Sequence, residues 1–187
     1  MSKEQLYIFD TTLRDGAQTQ GVDFSIDDKE KISSALDKLG VDYVEGGWPG
    51  ANPTDTEFFN KDHNFKSTKL TAFGMTKKSE HSAENDPMLS SLINSKSTSV
   101  CLFGKSWDFQ VDVALGISNE QNLMNISEST KHIVKSGKEF MFDAEHFFDG
   151  YKANPEYAMS CLKAAFDNGA RWAVSYTHLR AHETTSY

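Results

Sequence analysis

Cysteine is scarce: the 187-residue chain has two, Cys101 and Cys161, each inside an apolar stretch. That argues against a disulfide-stapled secreted fold and favours two reduced, buried thiols in a cytosolic protein over a disulfide. Positive charge is also short, with 19 Lys and Arg against 27 Asp and Glu and a formal net charge of -8. Phosphate contacts need clustered cations, so no nucleic acid partner is expected. The acidic balance itself points to no partner, since acidic surfaces serve mainly solubility. Long hydrophobic runs are missing too. The opening Met1-Ser2-Lys3-Glu4-Gln5 is polar, and the apolar run after it ends at Asp10, too short for a secretory core or a membrane span. No membrane contact and a cytoplasmic location are the expectation. What is present is an ordinary globular composition, 38% hydrophobic and 25% charged. The length suits one domain but is short for a complete (β/α)8 barrel.

The chain alternates short β-type runs with longer stretches of helical period. Leu6–Phe9 reads as a first strand. Ser25 reads as an N-cap, with Asp27 and Asp28 in the first turn, where the helix dipole favours them. Ile32, Leu36 and Leu39 recur at helical spacing, and Gly40 stands where a helix closes. A strand from Val41 to Glu45 follows. The unit then repeats, with predicted helices at 54–63, 87–94, 119–136 and 155–168. The strands after them are predicted at 70–73, 99–103, 140–142 and 171–174. Six strands with five helical crossovers imply a parallel sheet with right-handed connections. An open doubly wound sheet and a closed barrel both fit that pattern. The barrel is favoured, because chemically unusual residues follow nearly every strand instead of gathering at one switch point. They are Asp15, Glu45, the pair Lys105 and Trp107, and the trio Asp143, Glu145 and His146. Six strands cannot close an eight-stranded barrel, so residues 1–174 are expected to be part of a TIM-barrel catalytic domain. Residues 175–187 are polar, lack the period of a core-facing helix, and resemble a translated sequencing-adapter stretch. They read as a non-native tail. His178 and His182 stand at i and i+4, a zinc-ligand spacing, but lie in that tail and are set aside.

Asp10-Thr11-Thr12-Leu13-Arg14-Asp15-Gly16 places an arginine and a carboxylate side by side in the loop after strand one. The carboxylate there can take a hard divalent ion, and the guanidinium can stabilise a developing oxyanion. Residue chemistry alone leaves an alternative in which Asp10 caps the loop and Arg14 pairs with a neighbouring carboxylate. Asp143 and Glu145 are two residues apart and so share one face of a strand. That suits acid–base work or support of a metal site, or equally a structural network with Lys105 or Arg14. His146, followed by two phenylalanines, reads as a hydrogen-bonded packing residue.

The Asp10–Gly16 heptad resembles the signature of a group of metal-dependent barrel enzymes that make and break carbon–carbon bonds. The group includes isopropylmalate, homocitrate and citramalate synthases, hydroxymethylglutaryl-CoA lyase and the carboxyltransferase domain of pyruvate carboxylase. Three further stretches look like its citramalate synthase branch: Tyr43–Pro53 with Glu45-Gly46-Gly47-Trp48-Pro49, Phe103–Asp108, and Asp143–Pro155. The resemblance covers Leu6 to Val174. It implies a (β/α)8 barrel acyltransferase in which Arg14 polarises the substrate carbonyl and Asp15 binds a divalent metal (Mn2+, Mg2+ or Zn2+). Glu45 then serves catalysis beside Arg14, and Arg14, Asp143 and Glu145 meet the substrate.

The implied reaction joins acetyl-CoA to pyruvate, giving citramalate and CoA on a route to isoleucine, with a homodimer as the parent enzyme. The alternatives are 2-isopropylmalate synthesis from 2-ketoisovalerate, for leucine, and a non-catalytic barrel fragment. The family's His-x-His metal ligands and its Thr after strand six are not in this sequence. The chain by itself is therefore expected to lack synthase activity.

Overall fold

The computed structural model describes residues 5–176. Its strands are β1 (Phe9–Asp10), β2 (Tyr43–Gly47), β3 (Lys69–Met75), β4 (Ser99–Lys105), β5 (Glu139–Glu145) and β6 (Trp172–Ser175). The principal helices are α1 (Ile26–Leu39), α2 (Pro53–Asn60), α3 (Pro87–Asn94), α4 (Asn119–Lys135), α5 (Phe147–Ala153) and α6 (Pro155–Asp167). Among these elements every pairing is parallel, and the strands lie in the order β1-β2-β3-β4-β5-β6. A doubly wound sheet reverses strand order once, whereas a barrel sheet adds each strand beside the last. The described residues therefore form a six-strand arc of a (β/α)8 TIM barrel.

The arc curls. Tyr7, just before β1, packs its ring 5.1 Å from that of Trp172 on β6, and Trp172 Nε1 donates to the Tyr43 hydroxyl of β2 at 3.2 Å. Side chains alternate across the curled sheet as strand geometry requires. Val44, Leu70, Ala72, Val100, Leu102, Phe140 and Phe142 join the core beneath the helices. Tyr43, Phe73, Cys101 and Met141 face the barrel interior. At the amino-terminal end of the interior, Glu139 accepts from Tyr43 Oη at 2.5 Å, Lys69 Nζ at 2.7 Å and Arg171 Nη1 at 3.2 Å. One carboxylate thus ties together β2, β3, β5 and the start of β6.

Local signals explain most element ends. Ser25 caps α1 in a reciprocal box with Asp28, and Gly40 closes the helix at φ 87°, where a Cβ would be strained. Asn52, Asp86, Ser118 and Asn154 cap α2, α3, α4 and α6 by accepting backbone N–H bonds. The predicted strand Leu6–Phe9 shrinks to two residues because β1 has one strand neighbour among the described residues; Leu6 is exposed. Four pieces were not predicted: α5, a helical turn at Asp108–Gln110 running into a π-helix at Val111–Leu115, and 3-10 turns at Gly16–Gln18 and Ala83–Asn85. β6 extends one residue past Val174 to Ser175. His178 and His182 lie outside the described residues, as does most of the 175–187 tail. Both cysteines are free and buried. Among the described residues no helix is long and apolar enough to cross a membrane.

Asp37, near the end of α1, accepts the backbone N–H groups of Lys66, Ser67 and Thr68 and so fixes the approach to β3. Those bonds, Lys66 foremost, hold its carboxyl at about 2 against an ordinary 3.8. Folding lowers this pKa, so the stabilisation is complete above about 3.8 and disappears as pH falls toward about 2. Asp37→Asn is expected to lower the urea midpoint at neutral pH. Its deficit against the unaltered chain should shrink on acidification through that window.

Candidate active site

Arg14 hangs from the loop after β1, folded back by three bonds to the Thr11 carbonyl, the shortest from Asp15 N–H at 2.8 Å. Its Nε donates to Glu45 Oε2 at 2.6 Å and its Nη1 to Asp15 Oδ1 at 3.1 Å. The guanidinium carbon sits 3.9 Å from the centre of the Phe73 ring on β3, within cation–π range. Burial disfavours the charge, yet pairing with Glu45 and then Asp15 carries the Arg14 pKa above its ordinary value. Arg14 is thus a fixed cation whose plane is set by a strand carboxylate on one side and an aromatic face below. The structural alternative is observed, with Asp10 accepting from Thr12 N–H at 3.0 Å and Arg14 paired with Glu45; Arg14 also borders a cavity.

Glu45 is wholly buried, and burial pushes its carboxyl above the ordinary range against the pull of Arg14. Asp143, on β5, is pushed up to about 7, first by burial and then by the charge of Glu45. Near neutral pH both its protonated and its ionised forms are therefore accessible. Glu145, two residues on, lies 2.5 Å from Lys105 Nζ of β4, an ion pair by distance that misses hydrogen-bond direction at Oε2. The Cys101 thiol is raised well above its ordinary value, mainly by burial, and stays protonated beside these acids.

A cavity of about 580 Å³ opens over this cluster. Arg14, Trp48, Phe73, Phe103 and Glu145 line it; Glu45 is not in the lining and reaches it through its bond to Arg14. Trp48 packs edge-on against Phe73 and Phe103, each 5.8 Å away. Five buried polar atoms in this region, Glu45 Oε1, Trp48 Nε1, Asp143 Oδ1, Glu145 Oε2 and Tyr176 Oη, have no well-directed hydrogen-bond partner among the described residues, although the Tyr176 hydroxyl lies close to Asp143 and the Cys101 thiol close to Glu45. Orphaned polar atoms are rare in folded interiors and are satisfied where a ligand or ordered water lies.

Of the residues singled out from sequence, Arg14, Asp15 and Glu45 form one bonded cluster, and Asp143 and Glu145 share the interior face of β5. Their catalytic and binding roles remain proposals. Lys105 joins through Glu145. Trp107 turns away to pack against Phe109 and His146. His146 pairs with Asp149 at 3.4 Å and takes φ 54°, a left-handed backbone uncommon for a histidine.

Sequence reasoning missed the buried pair Lys29 and Asp55, which backs the cavity; Lys29 Nζ lies 2.5 Å from Asp55 Oδ1. A signal existed, since Lys29 stands three residues before Ile32 and seven before Leu36, on the apolar face of α1. The same pair explains Gly47. Its φ is 137°, and a Cβ there would fall 2.5 Å from the Asp55 carboxylate. Gly47→Ala is expected to lose about 1–3 kcal/mol by overpacking in a urea titration. It should also disturb the near-ultraviolet signal of Trp48, whose N–H bonds to Asp55 at 2.8 Å.

A singly wound parallel barrel sheet with charged residues at the carboxyl ends of its strands has the layout on which barrel active sites are built. A family model described as HMGL-like matches residues 5–174, and the chain belongs to that family. The (R)-citramalate synthase of Aquifex aeolicus is 51% identical over 91% of this chain and 33% of its own length. A 2-isopropylmalate synthase of Caldanaerobacter subterraneus is 30% identical, over 91% of this chain and 41% of its own length. The crystal structure of the Bacillus subtilis HMG-CoA lyase superposes with a TM-score of 0.73 at 16% identity, covering 91% of this chain and 57% of that one. That likeness bears on the fold. The chain spans about a third of the length of the citramalate synthases it matches.

Proposed function

We propose that this chain carries the keto-acid end of a citramalate-forming site, at which acetyl-CoA condenses with pyruvate to give citramalate and CoA. The supporting observation is the Arg14 guanidinium, clamped at 2.6 Å by a buried Glu45 and turned toward a partly aromatic cavity. A base takes a proton from the acetyl methyl, the resulting enolate carbon attacks the keto carbon of pyruvate, and the broken C=O π bond leaves an alkoxide that is then protonated. A fixed cation aimed at that oxygen stabilises the transition state more than the ground state, at no cost of reorganisation. Trp48, Phe73 and Phe103 wall the space where the methyl of pyruvate fits. Asp143, in its protonated form, offers a hydrogen bond to a carboxylate or keto oxygen, and Glu145 borders the same space. Hydrolysis of the citramalyl thioester then releases CoA.

Identity favours this reading over 2-isopropylmalate synthesis: the (R)-citramalate synthases fall at 42–51%, against 27–30% for the 2-isopropylmalate synthases. Acetyl-CoA and pyruvate as partners, a homodimer and a cytoplasmic location belong to the same proposal.

The family resemblance implies a divalent ion, for which Asp15 is the proposed ligand here. Among the described residues no group of three His, Cys, Asp or Glu side chains is placed to hold a metal. One carboxylate is too few for a tight site, so these residues do not make a metal centre by themselves.

The test is CoA release from acetyl-CoA and pyruvate, measured with a thiol reagent. Two proteins are compared: this chain alone, and a chimera joining residues 1–174 to the remaining two thirds of the Aquifex aeolicus relative. The chimera is expected to turn over at about 1 per second or faster, and the chain alone is not. A folded chimera that releases no CoA would overturn the proposal.

A further inference from the structure

Lys29 sits in the first turns of α1, is 3% exposed, and borders the same cavity as Arg14. Its ammonium donates to the Leu13 carbonyl at 3.0 Å, the Gly46 carbonyl at 2.7 Å and Asp55 Oδ1 at 2.5 Å. An ammonium has three donors, so all three are committed to the protein and none is left for a ligand. A lysine in a cavity wall with no free donor is not a substrate contact.

Its acceptors show what it does. Leu13 immediately precedes Arg14, and Gly46 immediately follows Glu45. The Arg14–Glu45 pair joins two separate segments, and the same two segments are drawn to one cation a residue away on each. The wholly buried Leu13 side chain anchors the loop carrying Arg14 in the core, while the loop's backbone bonds, such as Asp15 N–H to Thr11 O and Thr19 N–H to Gly16 O, run within it, so Lys29 is what ties the Leu13 carbonyl to the neighbouring segment. Asp55 extends the tie. Its second oxygen accepts from Trp48 N–H at 2.8 Å and Asn52 Nδ2 at 2.9 Å, so the Trp48 wall of the cavity is set by the same ion pair.

We propose that Lys29 is a positioning residue. By holding the carbonyls of Leu13 and Gly46 against Asp55, it sets the angle at which Arg14 meets Glu45 and faces the cavity. The assignment rests on the reading that Arg14 is the group aimed at substrate. Its geometry, however, is measurable whether or not the protein turns anything over.

The sequence contains three arginines, Arg14, Arg171 and Arg180, so their Nε–H signals can be assigned in the 15N-labelled full chain. In the unaltered protein the Arg14 Nε proton, bonded to Glu45, is expected to be shifted and slow to exchange. Lys29→Met strands a buried Asp55 carboxylate, so it is paired with Lys29→Met/Asp55→Asn, which removes both charges and leaves no uncompensated one. In each folded variant the Arg14 signal is expected to move toward that of an exposed arginine and to exchange at least about tenfold faster. Signals from β4 and α4 should stay in place. An Arg14 signal unchanged in a folded variant would overturn the proposal. So would failure of both variants to fold, which would make Lys29 a residue of the fold alone. Loss of CoA release from the chimera with the Arg14 signal intact would count against the proposed reaction and not against Lys29.

Discussion

Replacing Arg14 with alanine in the chimera is expected to lower kcat with pyruvate by roughly 100- to 1000-fold, about 3–4 kcal/mol of transition-state stabilisation. The guanidinium is positioned before substrate arrives, by Glu45 at 2.6 Å and Phe73 at 3.9 Å, so its whole electrostatic effect is available to a developing alkoxide. Arg14→Lys should recover little, because an ammonium cannot hold Glu45 and face the cavity with a planar fork. One confounding effect has to be separated. Without Arg14, Glu45 is a buried carboxylate with no counter-charge, and breaking such a pair costs about 3–5 kcal/mol of stability. Arg14→Ala/Glu45→Gln removes both charges, so a loss of kcat that persists in the stable double variant belongs to the missing cation. A kcat within tenfold of the unaltered chimera would remove Arg14 from the chemistry.

Phe142→Ala is expected to be the most destabilising single truncation of the core, by about 3–5 kcal/mol. For a chain of this size that lowers the melting temperature by roughly 6–20 °C. Phe142 is wholly buried in the layer between sheet and helices. Its ring lies where a Cβ on Gly104 would come within 2.8 Å, so the ring fills the space that Gly104 leaves on β4. Truncation opens a cavity with a glycine floor, bordered by the Thr76 methyl, which is too small to fill it. Calorimetric melting of the chain reads this directly. A loss under 1 kcal/mol would show that the sheet–helix layer is not packed as described.

The helices were the most legible feature of the sequence, because each carries its own start signal. Pro87–Asn94 was predicted at its observed bounds, and α1 opens on Ser25 and closes on Gly40 as its caps dictate. Strand β1 was read long and β2 and β6 were displaced by one or two residues, while β3, β4 and β5 were found but read short. Apolar runs mark their buried middles, whereas Lys69, Lys105, Glu139 and Glu145 at their ends are polar residues paired inside the barrel. The helix α5 was missed because it is only seven residues long and begins after a left-handed histidine that no local pattern announces.

At the site, the heptad and the Glu45 loop pointed to the cluster that the structure assembles. Lys29 and Asp55 escaped because a lysine on a helix is ordinarily a solvated charge. Only the tertiary fold shows three acceptors converging on it. The raised pKa of Asp143 was likewise illegible, since it depends first on burial and then on Glu45, which is far away in sequence, and both are set by the tertiary fold.

The most direct measurement is the choice of keto acid by the chimera, read as kcat/KM for pyruvate against 2-ketoisovalerate in parallel CoA-release assays. The cavity wall of Trp48, Phe73 and Phe103 comes entirely from residues 1–174. The preference should therefore be set by this chain. Discrimination by the size of an apolar group is worth about 10- to 200-fold per methylene. Pyruvate is expected to be favoured by about 100-fold or more, with citramalate as the product. Equal rates, or a preference for 2-ketoisovalerate with 2-isopropylmalate as the product, would contradict the assignment of this site to pyruvate.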